Sequence, residues 1–173
     1  MIIRKCNLDD IDITSKFYDD EIVYLDNHIN YPKWKYKLYP SIISVTDNTK
    51  KGFQYICIED DKILATFVLN DNPEGVYHKA SWSKDLKEKE YMVIHGLCVS
   101  HNSYGKGIGT KIINYSIDLA KKLNYKGLRL DIVPTNIPAK ELYLKNGFKY
   151  VGDIDLKRNI EDIPLFSLFE LYW

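Results

Sequence analysis

The chain lacks most of what would mark it for an unusual environment. Its three cysteines, Cys6, Cys57 and Cys98, are far apart and odd in number. They make neither a disulfide framework nor a metal-ligand spacing, so no metal is expected. Each stands in an apolar, strand-like context that suits a buried thiol. Net charge is also missing, because 24 Lys and Arg balance 24 Asp and Glu. Without a basic field, neither nucleic acid nor a membrane surface is an expected partner. Any anionic ligand must be held locally, by backbone amides and a few lysines. No apolar run approaches the ~20 residues of a membrane span. The opening segment Met1–Cys6 has no signal-peptide core, which makes the cytoplasm the expected compartment.

What remains is an ordinary globular composition, 45% hydrophobic and 28% charged over 173 residues, enough for one domain spanning residues 1–173. Ile2–Cys6 suits an edge strand. Asn7 is a plausible N-cap, with Asp9 and Asp10 favouring a helix that runs to about Leu25. A shorter helix is expected near Ser41–Thr46. Residues 52–59 and 62–70 alternate around Asp60–Asp61 as a hairpin does. Asp71–Glu90 reads as a polar excursion with one helical turn near Lys84–Lys87.

Tyr91–Val99 is a nearly continuous apolar run, as a strand buried on both faces requires. A glycine-bearing turn follows, then a helix face marked by Ile108, Ile112, Ile113, Ile117 and Ala120, then the strand Gly127–Val133. Strand, helix, strand is a βαβ unit with a parallel pair. Pro138 opens a further helix, Asn146–Gly147 closes it, and strands are expected at Phe148–Ile154 and Leu165–Trp173. The apolar end of the last one, Leu171–Trp173, could pair across a homodimer. The fold class is α+β.

The turn carries the chemistry. Gly105, Gly107 and Gly109 let backbone approach a ligand closely at a helix N-terminus, where amides are unpaired and the dipole is positive, and Lys106 adds a cation. A tight strand-to-helix connection would have the same glycines. The P-loop is excluded because Lys106 precedes the last two glycines. The dinucleotide fingerprint is excluded because Gly105-x-Gly107-x-Gly109 has the wrong spacing.

The segment Tyr104-Gly-Lys-Gly-Ile-Gly109 resembles motif A of the GNAT superfamily (GCN5-related N-acetyltransferases), Gln/Arg-x-x-Gly-x-Gly/Ala, with Tyr104 in place of the usual first residue. Val133-Pro-Thr-Asn136 and the stretch Ala139–Phe148 resemble its motif B. The resemblance implies a three-layer α/β arrangement: a mixed, mostly antiparallel sheet of six to seven strands with one parallel pair, and helices on both faces. It implies acetyl-CoA as co-substrate and an amine as acceptor. The pyrophosphate falls to Tyr104, Gly105, Lys106, Gly107, Ile108, Gly109 and Thr110, and the pantetheine arm to Leu97, Cys98, Val99 and Asn136.

Transfer to an amine needs a neutral nucleophile and a proton for the departing thiolate. Tyr143, where the family often has a tyrosine near the sulfur, is the candidate acid, and His95 the candidate base. Strict alternation would put His95 on the face of Val93, Leu97 and Val99, opposite Cys98. For the acceptor, a small-molecule amine, the family position points to an aromatic set that includes Tyr24, Asp26, Tyr31, Trp34 and Tyr77, where aromatics beside a carboxylate would suit a cation. A peptide acceptor and a non-catalytic CoA sensor are the alternatives. Each residue also has a plain structural reading: Tyr143 as a packed helix residue, His95 as a core histidine, Asn136 as a helix cap, and the aromatic set as a small second core.

Overall fold

Local chemistry at the start of the chain decides where the first helix begins. The Asn7 side chain accepts from the amides of Asp9 and Asp10, and the Asp10 carboxylate accepts from the Asn7 amide at 2.8 Å. This reciprocal cap separates the strand β1, Ile2–Lys5, from a 3-10 turn that leads into α1, Ile11–Asp26. Arg4 closes the corner by donating to both Asp10 oxygens, at 2.6 and 2.9 Å. Ser41 and Ser44 cap α2, Ile42–Lys50, in the same way. Asp60 and Asp61 both take positive φ, +48° and +58°, which joins β2, Gln54–Glu59, to β3, Lys62–Asn70, through a two-residue turn.

The computed structural model describes residues 1–173. The later elements are β4 (Met92–Val99), α3 (Ile108–Lys122), β5 (Gly127–Ile132), α4 (Ile137–Lys145), β6 (Lys149–Ile154) and β7 (Phe166–Tyr172). Seven strands form one sheet in the order β1-β2-β3-β4-β5-β7-β6. β4 and β5 are parallel, as the βαβ pattern requires, while β1/β2, β2/β3, β5/β7 and β6/β7 are antiparallel. This is the mixed α+β sheet expected from the sequence.

One expectation is corrected. The excursion before β4 has its helical turn at Tyr77–Lys79, not at Lys84–Lys87. Tyr77 is 1% exposed, and burial of that ring fixes the local backbone more strongly than the weak propensities of the lysine-rich stretch. β7 is inserted between β5 and β6, pairing with β5 over Ser167–Tyr172 and with β6 over Phe166–Glu170.

The chain divides into two compact units. One comprises Met1–Leu69 with His95–Tyr115, the other Asn70–Ile94 with Ser116–Trp173. In the first, Tyr18, Val45 and Cys98 form a buried cluster edged by Ile11, Phe17 and Trp34, and Tyr55 stacks on Phe67. In the second, Tyr77, Tyr91, Val93, Val133, Leu156, Phe166 and Leu168 make the core. Each fully buried side chain of this kind contributes roughly 1.5–3 kcal/mol.

Candidate functional site

β4 is not a uniform strand. Gly96 lies in the left-handed region at φ +55°, and its carbonyl accepts the Tyr18 hydroxyl of α1 at 2.6 Å. A positive φ inside a strand interrupts the alternation of side chains. His95, Leu97 and Val99 are half-buried, whereas Cys98 packs into the Tyr18–Val45 cluster at 6% exposure. Burial pushes the Cys98 thiol well above its ordinary range. A neutral, enclosed thiol is no nucleophile.

Beyond Val99 the chain makes a 3-10 turn, His101–Ser103, anchored by the Ser100 amide on the Leu64 carbonyl at 2.8 Å. Tyr104 follows, exposed and extended, and then Gly105 and Gly107, both at φ +75°. A Cβ added at either glycine would meet no atom within 4 Å. These glycines therefore serve the backbone conformation and leave open space before it. The first helical bond of α3 runs from the Lys111 amide to the Gly107 carbonyl at 3.1 Å. The amides of Gly107, Ile108 and Gly109 precede it, at the positive end of a 15-residue helix, with Thr110 one residue on. Lys106 is exposed and folds its Nζ onto the Asn102 carbonyl at 2.9 Å. Uncrowded amides, a helix dipole and an adjacent ammonium suit a phosphate-bearing group, and the fit to a pyrophosphate is good.

A buried acid supports this loop, and sequence reading did not single it out. Glu21 of α1 is 3% exposed and accepts from the His101 amide at 2.9 Å and from its Nδ1 at 3.1 Å. Tyr24 is stacked between His101, 4.0 Å away, and His28, 4.1 Å away. The two partners are 80 positions apart, so periodicity could not join them. The available signal was a glutamate placed on the buried Tyr18–Ile22 face of α1.

The aromatic set separates by unit. In the first unit, Tyr24 belongs to the histidine stack, Asp26 accepts the Asn30 side chain at 2.7 Å, Tyr31 is half-buried in the turn beyond α1, and Trp34 stands edge-on to Tyr18 at 5.8 Å. Tyr77 belongs to the second unit's core, where its hydroxyl donates to Asp131 at 2.5 Å. Asp131 also takes both Nη atoms of Arg158 at 2.7 Å. With its ring buried and its hydroxyl spoken for, Tyr77 is a structural residue and leaves the acceptor set.

Tyr143 and Asn136 lie in the second unit. Tyr143 is 4% exposed and packs edge-on against Phe148 at 5.4 Å. Burial, aided by the charge of Asp131, raises its pKa, so the phenol stays protonated. Asn136 caps α4 by accepting the Ala139 amide at 3.4 Å, which gives it a structural task whatever else it does. No group of three or more His, Cys, Asp or Glu is arranged to hold a metal ion, and no helix is long and apolar enough to cross a membrane.

The profile of the Acetyltransferase (GNAT) family matches residues 15–148. Streptothricin acetyltransferase of Escherichia coli is 32% identical over 98 residues, which is 57% of this chain and 52% of that protein. An uncharacterized N-acetyltransferase of Methanocaldococcus jannaschii is 30% identical over 98 residues, 56% of this chain and 43% of the relative. The chain thus spans about half the length of these curated relatives. Among solved structures, a GNAT-family acetyltransferase of Streptococcus agalactiae superposes with a TM-score of 0.82 at 18% identity, over 99% of this chain and 95% of the other. A ribosomal-protein-alanine N-acetyltransferase of Brucella melitensis does so with a TM-score of 0.70 at 13% identity, over 100% of both. At those identities the likeness is one of fold. With the profile covering most of the chain and the glycine cradle inside the match, the chain belongs to the GNAT acetyltransferase family.

Proposed function

We propose that this chain is an N-acetyltransferase that moves an acetyl group from acetyl-CoA directly to the primary amine of a small molecule. The observation that carries the reading is the open amide cradle at Gly105–Thr110, with two left-handed glycines whose missing Cβ atoms leave room for a pyrophosphate. Acetyl-CoA supplies an activated thioester. The chain's own residues bind and manage protons. The amides of Gly107, Ile108 and Gly109 take the phosphates with Lys106, and Tyr104 flanks them. The backbone of Leu97–Cys98–Val99 and the Asn136 side chain align the pantetheine arm.

His95 accepts the proton of the incoming amine, and Tyr143 gives one to the departing sulfur. Tyr24, Asp26, Tyr31 and Trp34 form the acceptor side. A carboxylate among aromatics favours a cationic amine before deprotonation. Two relatives are named for one molecule, streptothricin, which supports a small acceptor rather than a protein. The protein is placed in the cytoplasm in this reading. The test is thiol release from acetyl-CoA across a panel of amines. Amine-dependent release is expected. Tight CoA binding without turnover on any amine would replace the enzyme with a non-catalytic sensor.

A further inference from the structure

Within the first unit, α1 grips one stretch of backbone from a single side. Tyr18, Glu21 and Tyr24 follow one another at helical spacing, so their side chains leave α1 in neighbouring directions. The Tyr18 hydroxyl donates to the Gly96 carbonyl at 2.6 Å. Both oxygens of Glu21 face His101: Oε2 accepts from its amide at 2.9 Å, and each oxygen stands 3.1 Å from its Nδ1. The Tyr24 ring lies flat on the His101 ring, 4.0 Å away with 5° between the planes. Cys98, between the two anchors, senses the same carboxylate, since burial and then the charge of Glu21 raise its thiol pKa. The pinned stretch therefore contains Leu97–Val99 and ends at His101, on the 3-10 turn that leads into Tyr104 and the glycine cradle.

Glu21 is 3% exposed, and desolvating a carboxylate is costly. An apolar side chain of similar volume would fill the space without that cost. What the carboxylate adds is two acceptor oxygens for one residue, which fix the main chain of His101 and the orientation of its ring together. A loop already held in its binding conformation takes up a ligand without the cost of ordering it.

We propose that Glu21 is a positioning residue for acetyl-CoA. Acting through His101 rather than on the cofactor, it holds the turn that sets the amide cradle against the end of β4. The assignment rests on the acetyl-CoA reading above.

The test uses two variants of the full chain. Glu21→Leu keeps most of the packing volume and removes both acceptor oxygens. Glu21→Gln keeps one oxygen for the His101 amide and removes the charge, and it serves alone if the first variant does not fold. Calorimetric titration with CoA, at a temperature where each protein is folded by circular dichroism, gives Kd. Glu21→Leu is expected to weaken CoA about tenfold or more, and Glu21→Gln about threefold to tenfold. In turnover, KM for acetyl-CoA should rise by a similar factor, with a smaller change in kcat. A merely structural role would lower Tm and leave the Kd of the folded protein unchanged. CoA affinity in folded Glu21→Gln equal to the parent's, or a fall in kcat larger than the rise in KM, would overturn the assignment. A parent that binds CoA beside variants that match it overturns this assignment alone, whereas a parent that binds no CoA overturns the acetyl-CoA reading and the assignment with it.

Discussion

Replacing Gly107 by alanine separates the cost to the fold from the cost to the ligand. The residue sits at φ +75°, and its Cβ would touch no protein atom within 4 Å. The folded chain therefore pays only for a left-handed non-glycine residue, about 1–2 kcal/mol. For a domain of this size each kcal/mol lowers Tm by about 2–4 °C. The ligand meets a different cost, because the new methyl group stands before the amides that open α3. Loss of one hydrogen bond to a charged oxygen is worth about 1.5–3 kcal/mol, or roughly tenfold to a hundredfold in Kd for CoA. Gly127→Ala is the contrast. Its Cβ would stand 2.2 Å from Tyr172 Cδ1 and 2.6 Å from the Leu171 carbonyl, so stability should fall further while the folded fraction keeps its CoA affinity. Calorimetric titration with CoA, well below both melting points, gives Kd; scanning calorimetry gives Tm. If Gly107→Ala lowers Tm as expected yet binds CoA within about twofold of the parent, the loss worked from a charged hydrogen bond is absent and the pyrophosphate is not held at this turn.

Tyr143→Phe should lower kcat about a hundredfold while acetyl-CoA affinity is retained, as expected for a lost proton donor; unchanged turnover across pH would remove Tyr143 from the mechanism. Tyr18→Phe deletes the 2.6 Å bond to the Gly96 carbonyl and should cost about 1–2 kcal/mol in urea unfolding. An unfolding midpoint equal to the parent's would mean that this bond does not fix the left-handed residue. The Arg4 hydrogen bonds and the Asn7 amide hold Asp10 below the ordinary aspartate range. The fold therefore favours its ionised form, so this stabilisation is complete above about pH 4 and is lost as the pH falls through the lower folded value. Asp10→Asn should flatten that part of the acid-unfolding curve; an unchanged curve would exclude the corner as an acid-sensitive point.

The parts of this molecule legible in the sequence are those governed by local chemistry. Asn7, Ser41, the Asp60–Asp61 turn and the Pro138 helix start each act over a few residues, and the structure has them where the sequence implies. The glycine turn was legible for the same reason. Features that depend on distant partners were not. The position of β7 between β5 and β6 is a choice of strand neighbour, and no pattern within Phe166–Tyr172 encodes it. Glu21 meets His101 across 80 residues. Tyr77 looked like a pocket aromatic because its partner, Asp131, is 54 positions away. Gly96 lies inside an apolar run that carries no local sign of its left-handed conformation.

Burial has opposite chemical consequences at Cys98 and Tyr143, and the pair bears on the choice between direct and two-step transfer. In each case desolvation favours the neutral form and raises the pKa. A thiol must become a thiolate to attack a thioester, so burial disarms Cys98. A phenol must be protonated to serve as an acid, so burial keeps Tyr143 competent at every physiological pH. A covalent acyl-enzyme would need the reverse arrangement: an exposed cysteine near a cation, as reactive thiols have. Cys98 instead packs with Tyr18 and Val45. The same physical effect that disarms the Cys98 thiol keeps the proposed acid Tyr143 protonated, and this favours attack by the amine itself over a cysteine-bound intermediate.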